Sequence, residues 1–158
     1  MICFNHDKGL FNLRVAGLVF HHDHVLLHHA LHELFWTVPG GRCEMMENTA
    51  ATVRREFAEE LGVDVQVERL VALVENFFEY ESTMCHELCF YYSVTLPAHS
   101  PLLDVDRTMS AVDGGVPLEF RWFPVGTLHE VEIRPTCLVE IVRANETEPG
   151  IRHILHAG

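Results

Sequence analysis

The chain has 158 residues, 48% of them hydrophobic, and a formal charge of −12. This length and apolar content suit one domain, residues 1–158, with a sizeable core, and they exclude a disordered chain. The negative charge argues against nonspecific binding to nucleic acid or acidic membranes, and no apolar run approaches the length of a membrane span.

From the N-terminus, MICFNHDKGLF has neither a basic flank nor a long apolar stretch, so it does not read as a signal peptide. FNLRVAGLVF (11–20) and VLLHHA (25–30) read as strands joined by a turn at HHDH, which predicts a hairpin. From Asn48 to Leu61, Ala50, Val53, Phe57 and Leu61 recur at helical spacing, while Arg54, Arg55, Glu56, Glu59 and Glu60 take other faces. Asn48 is a suitable N-cap, and Gly62 stands where a left-handed residue ends a helix. Residues 63–80 read as extended, with a turn at 81–83. Leu88, Phe90, Tyr92, Val94 and Leu96 then share one strand face, leaving Glu87, Cys89 and Tyr91 on the other. Residues 97–117 have the composition of a long loop. LEFRWFPV (118–125) predicts a strand, PTCLVEIVRANE (135–146) a short helix with Pro135 near its first turn, and IRHILH (151–156) a last strand. Strands with two helices suit an α/β or α+β sandwich. Five scattered cysteines without a CxxC pair suggest reduced thiols and a cytoplasmic setting.

The chemistry concentrates in residues 36–63. Glu56, Glu59 and Glu60 project within roughly a 100° arc of the helix, and like charges so placed repel. Three carboxylates on one face suit a hard divalent cation. Mg²⁺ in particular prefers a few carboxylates plus waters and substrate phosphates over a full protein cage. Pro39-Gly40-Gly41 permits a tight, close-lying backbone before the helix. Arg55 can fold a loop back by pairing with Glu47 or with a carboxylate of the helix.

The whole stretch resembles the Nudix box: Gly41, five residues, Glu47, seven residues, then Arg55-Glu56-Phe57-Ala58-Glu59-Glu60-Leu61-Gly62-Val63. Phe57 stands where an aliphatic residue is commoner, and Met46 replaces a frequent glycine. RVAGLVF, HELCFYY and FRWFP look like the family's flanking strands. This resemblance implies an α/β/α sandwich with a central mixed sheet and hydrolysis of a nucleoside diphosphate linked to another group. It also implies Mg²⁺ or Mn²⁺ as cofactor, held by Glu56, Glu59 and Glu60. The implied mechanism is metal-assisted attack of water on phosphorus, with Glu59, Glu60 and Arg55 in the catalytic machinery and Gly40 and Gly41 beside the substrate. The general base in such enzymes is a box glutamate or an acid outside it. Glu87 is the external candidate because it points away from the apolar face of its strand, and Glu75, Glu79 and Glu81 compete with it. Tyr80, seventeen residues after Val63, resembles the substrate-binding tyrosine of diadenosine polyphosphate hydrolases. The proline typical of ADP-ribose hydrolases and the signature of NADH hydrolases are absent. The expected partner is therefore a nucleoside diphosphate-linked small molecule, and a homodimer is left open.

Two other classes compete. A Nudix-fold sensor would bind a nucleotide without cleaving it, but the complete set of box acids speaks against this. A His-rich metal-binding protein would use His21, His22, His24, His28, His29 and His32, which lack cysteine partners and surround a predicted turn. Trp36 and Trp122 read as packing anchors, and Cys43 has no neighbouring base to mark it as a nucleophile.

Overall fold

Side-chain alternation along the strands decides how the layers form. The structure, a computed structural model, describes residues 1–145 and 149–158. The strands are β1 (Cys3–His6), β2 (Gly9–His21), β3 (His24–Ala30), β4 (Gly40–Arg42), β5 (Gln66–Tyr80), β6 (Thr83–Thr95), β7 (Met109–Asp113), β8 (Val116–Pro124) and β9 (Arg152–Ala157). They form a mixed sheet in the order β7-β8-β3-β2-β6-β5-β9, with β1 and β4 added along β2. Two helices accompany them, α1 (Thr49–Leu61) and α2 (Leu138–Ala144).

Along β2, Val15 and Val19 face one side and pack with Val53 and Phe57 of α1, whereas Ala16 and Leu18 face the other and pack with Leu138, Ile141 and Val142 of α2. β6 divides the same way, with Val94 toward α1 and Cys89 and Tyr91 toward α2. Both faces of the sheet are therefore covered, which gives the α/β/α sandwich with a central mixed sheet that was expected. Among the described residues no helix is long and apolar enough to cross a membrane.

Four sequence readings change in detail. The 11–30 hairpin turns where expected, but only Phe20–Val25 and His21–His24 pair across it. Beyond them β2 pairs with β4 and β6, while β3 pairs with β8, so the two strands fork. Residues 97–117 are not one long loop: a short 3-10 turn at Pro101–Leu103 is followed by β7, which forms a hairpin with β8 through Gly114-Gly115. Both glycines take positive φ, the conformation a two-residue strand turn requires, so Gly114-Gly115 was a hairpin signal inside a stretch read as loop. The second helix starts at Leu138, three residues after Pro135, and the last residue of the predicted span, Glu146, lies outside the described residues. Finally, Glu87 does lie opposite the Phe90 and Val94 face, but its own face is packed as well, leaving it 8% exposed.

Candidate active site

Helix α1 is positioned by its ends. The Asn48 side chain accepts a hydrogen bond from the Ala51 amide, and Gly62 takes a left-handed φ of 65° that returns its N–H to the helix carbonyls. Thr52, Val53, Glu56 and Phe57 form the buried face. Glu56 thus belongs to the packed side of the helix, contrary to the reading that grouped it with the outward charges. Gly41 accounts for this. β4 runs beside β2, and a Cβ on Gly41 would collide with the Glu56 carboxylate, so only glycine leaves room for that acid. A Cβ on Gly40 would strike the Val15 carbonyl. Both glycines therefore have a local packing reason that sequence spacing alone did not supply.

Arg55 ties the loop to the helix. Its Nε donates to Glu47 Oε1 at 3.0 Å and its Nη2 to Glu47 Oε2 at 3.1 Å, a two-point grip. The same guanidinium donates to the Arg42 carbonyl at 3.0 Å, to Glu56 Oε1 at 2.7 Å and to Glu59 Oε2 at 3.1 Å. Glu47 also accepts from the Thr52 hydroxyl at 2.8 Å and the Glu44 amide at 3.2 Å. Hydrogen bonds from Arg55 above all, with Thr52 and the Glu44 amide adding to them, hold the Glu47 carboxyl down at about 2. The fold-back of the loop onto Arg55 is thus present in the structure.

Glu60 has the opposite environment. Burial first, then the nearby Glu56 charge, pushes its carboxyl up to about 8, with Asp113 and Glu59 adding to the rise and Arg14 opposing it. Glu56 is shifted upward too, by burial, although Arg55 pulls against it. Asp113, at the end of β7, therefore joins the acids around this helix. Sequence reasoning missed it because its strand was read as loop. Arg14, on β2, was missed too, since one arginine inside an apolar strand carries no spacing signal.

The other predicted residues are placed as follows. Glu87 accepts from Asn12 Nδ2 at 2.8 Å. Tyr80, at the end of β5, donates its hydroxyl to Glu33 at 3.0 Å rather than to any box carboxylate. Of the competing acids, Glu75 pairs with His153 at 2.7 Å, Glu79 is exposed, and Glu81 sits in the β5–β6 turn at positive φ. Trp122 donates to the Leu102 carbonyl at 2.8 Å, and Trp36 is packed between His29 and Phe123, so both serve packing. Cys43 is buried, and burial pushes its thiol up, away from nucleophilic chemistry.

Among the described residues no three His, Cys, Asp or Glu side chains already converge as a metal cage. Of the histidines, His28 is buried and His29 stacks on Trp36. For the acids of α1 the donor set still fits a hard cation. Glu60 has no ion-pair partner among the described residues and sits beside Glu56, so a bound cation would relieve both burial and repulsion. Mg²⁺ needs only one or two carboxylates besides waters and phosphate oxygens.

A mixed sheet between two helices, with a loop locked onto an acid-rich helix, matches the arrangement expected from the sequence. Comparison with known proteins makes the class explicit: the model of the NUDIX domain matches residues 11–140, and the chain belongs to that family. It is 37% identical over 62 residues to the Bacillus subtilis protein named "Putative ADP-ribose pyrophosphatase YjhB", a stretch covering 39% of this chain and 30% of that protein. The matched part is thus less than a third of that relative's length. Among solved structures, an ADP-ribose pyrophosphatase from Streptococcus suis superposes with a TM-score of 0.62 at 16% identity, covering 91% of this chain and 98% of that one. A NUDIX hydrolase from Nitrosomonas europaea gives 0.65 at 17% identity over 98% and 82%, and a MutT protein from Bacillus halodurans 0.62 at 19% over 92% and 89%. At such identities these structures speak for the fold.

Proposed function

We propose that the protein is a divalent-cation-dependent pyrophosphohydrolase that cleaves the diphosphate linkage of a nucleoside diphosphate derivative, with ADP-ribose the first substrate to try. The observation that carries this reading is the carboxylate arrangement at α1 and the loop entering it: Glu47 paired with Arg55, and Glu60 without an ion-pair partner among the described residues. Glu56, Glu59 and Glu60 would hold Mg²⁺ or Mn²⁺, which supplies charge neutralisation at the diphosphate and a more acidic water. Arg55 keeps Glu56 and Glu59 in place and fixes the loop carrying Gly40 and Gly41 against the helix. The names of two relatives support ADP-ribose. The hydroxyl of Tyr80 is engaged with Glu33, which gives less support to a dinucleotide polyphosphate. The decisive experiment is a product screen of ADP-ribose, nucleotide sugars, dinucleotide polyphosphates and nucleoside triphosphates, each with Mg²⁺ and Mn²⁺. Metal-dependent release of a nucleoside monophosphate is expected; no turnover of any of them overturns the reading.

Two acids compete to take the proton from the attacking water, Glu60 and Glu87. In the Glu87→Gln variant a base role lowers kcat and moves the acid limb of the pH–rate profile. If Glu87 only holds Asn12, KM rises and the profile stays in place.

A further inference from the structure

Arg14 of β2 and Arg42 of β4 are direct cross-strand partners, so both side chains leave the same face of the strand pair. Like charges directly opposite each other destabilise a sheet, and this chain has only 11 basic residues in all. Arg54, Arg55, Arg121 and Arg134 each sit in an ion pair. Among the described residues no carboxylate lies within ion-pair distance of Arg14 or Arg42. A guanidinium has five N–H donors. Half-buried Arg14 uses one in a long bond to the Gly40 carbonyl at 3.4 Å. Exposed Arg42 donates Nε to Asn12 Oδ1 at 3.0 Å, and its Nη1 rests on the Met1 sulfur at 3.6 Å.

The Arg42 contact is held by a buried acid. Glu87 accepts from Asn12 Nδ2 at 2.8 Å, which turns the amide oxygen toward Arg42. Asn12 and Glu87 are cross-strand neighbours, 7% and 8% exposed, so this orientation is built into the core. Burial opposes the charge on Arg14, but the nearby Glu87, Cys89, Tyr91 and Glu60 outweigh it and keep the guanidinium protonated. Arg14 is thus in the electrostatic reach of both Glu87 and the last-turn acid of α1. Gly40, whose carbonyl Arg14 reaches, is set tightly against β2, since a Cβ there would strike the Val15 carbonyl.

We propose that Arg14 and Arg42 form the anion-binding half of the substrate site, gripping one phosphate of a diphosphate whose scissile linkage faces the acids of α1. Unused donors on two adjacent guanidiniums match the several oxygens of a phosphate. An anion between them also turns the Arg14–Arg42 repulsion into attraction. Asn12 and Glu87 are the positioning residues of this pair. The proposal rests on the hydrolase reading and adds the residues that recognise the diphosphate.

The test measures binding of inorganic pyrophosphate with Mg²⁺ by calorimetry, for wild type, Arg42→Gln, Arg42→Lys and Arg14→Gln. Mn²⁺ binding without phosphate and ADP-ribose turnover are followed in parallel. Arg42→Gln and Arg14→Gln should each weaken pyrophosphate about tenfold or more, as expected for loss of charged hydrogen bonds, with Mn²⁺ affinity unchanged and KM raised more than kcat is lowered. Arg42→Lys should recover part of the binding. Pyrophosphate affinity within twofold of wild type in the glutamine variants overturns the proposal, as does a parallel loss of Mn²⁺ binding. If Arg14→Gln does not fold, exposed Arg42 decides alone. A wild type that turns over nucleoside diphosphate derivatives while the variants match it sinks only the arginine pair. A wild type that neither binds pyrophosphate nor cleaves any such compound sinks the hydrolase reading with it.

Discussion

Glu47, in the loop entering α1, and Glu60, in the last turn of that helix, are chemically identical and differently placed. Glu47 accepts hydrogen bonds from a guanidinium, a hydroxyl and an amide, and its carboxyl sits at about 2. At Glu60 burial and the neighbouring acids outweigh the pull of Arg14, and its carboxyl sits at about 8. The difference teaches that Arg55, unlike its helix neighbour Arg54, which pairs with Asp64, is spent on holding the loop to the helix. It serves Glu47, Glu56 and Glu59 and leaves Glu60 to be neutralised from outside. One end of the helix holds itself together, and the other carries a half-buried carboxyl with no ion-pair partner among the described residues.

The sharpest break of this contrast is Glu60→Gln. Turnover should fall at least about 100-fold at saturating Mg²⁺, because the proposed cation site loses a charged ligand. The cation-free protein should melt at the same temperature or higher. A carboxyl whose folded value is raised contributes stability below its unfolded value near 4.5, and that contribution is lost as pH rises through about 8. The melting temperature of wild type relative to Glu60→Gln should therefore decline from pH 5 to pH 9 in scans with a chelator present.

Arg55→Ala attacks the other end. It frees the loop and leaves Glu47 and Glu56 unpaired, so both activity and stability fall. A loss of about 2 kcal/mol, the scale of charged hydrogen bonds, lowers the melting point by several degrees, and rates should drop tenfold or more. An unchanged melting point would show that the lock carries no load.

Glu47→Gln has a smaller effect with a distinct pH signature. The folded carboxyl is depressed, so its contribution is fully present above pH 4.5 and fades as pH falls toward 2. Denaturation midpoints of wild type and variant should differ at pH 6 and converge across that acid window. The smallest effect is Asn48→Ala, which removes the N-cap and should cost about 1 kcal/mol with catalysis retained, as read from denaturant midpoints and initial rates.

How legible was this in the sequence? Helix α1 was readable to within a residue at each end, because its cap, its apolar spacing and its terminal glycine are all local signals. The pairing of Arg55 with Glu47 was readable for the same reason, being eight residues long. What the sequence hid is non-local. The depth of Glu56 depends on Gly41 lying across from it, and Asp113 comes close only because β7 exists. Glu87 shows the limit of parity: alternation placed it on the correct face, but only the structure shows that it is buried there and bonded to Asn12. The pairing of Arg14 with Arg42 depends on a strand of three residues, too short for any periodicity to mark.

The parallel pairing of β2 with β6 has a consequence for how the site comes into being. Asn12 and Glu87 are 75 positions apart, whereas Glu47 and Arg55 are separated by eight. Local contacts close early and distant ones late, since the entropy of loop closure must be met first. The contacts that fix the loop on α1 are thus expected to form before the Asn12–Glu87 bond that orients Arg42. If the proposed roles hold, a partly folded chain would gather the α1 acids before it can grip a phosphate, and pyrophosphate binding would appear only with the native sheet.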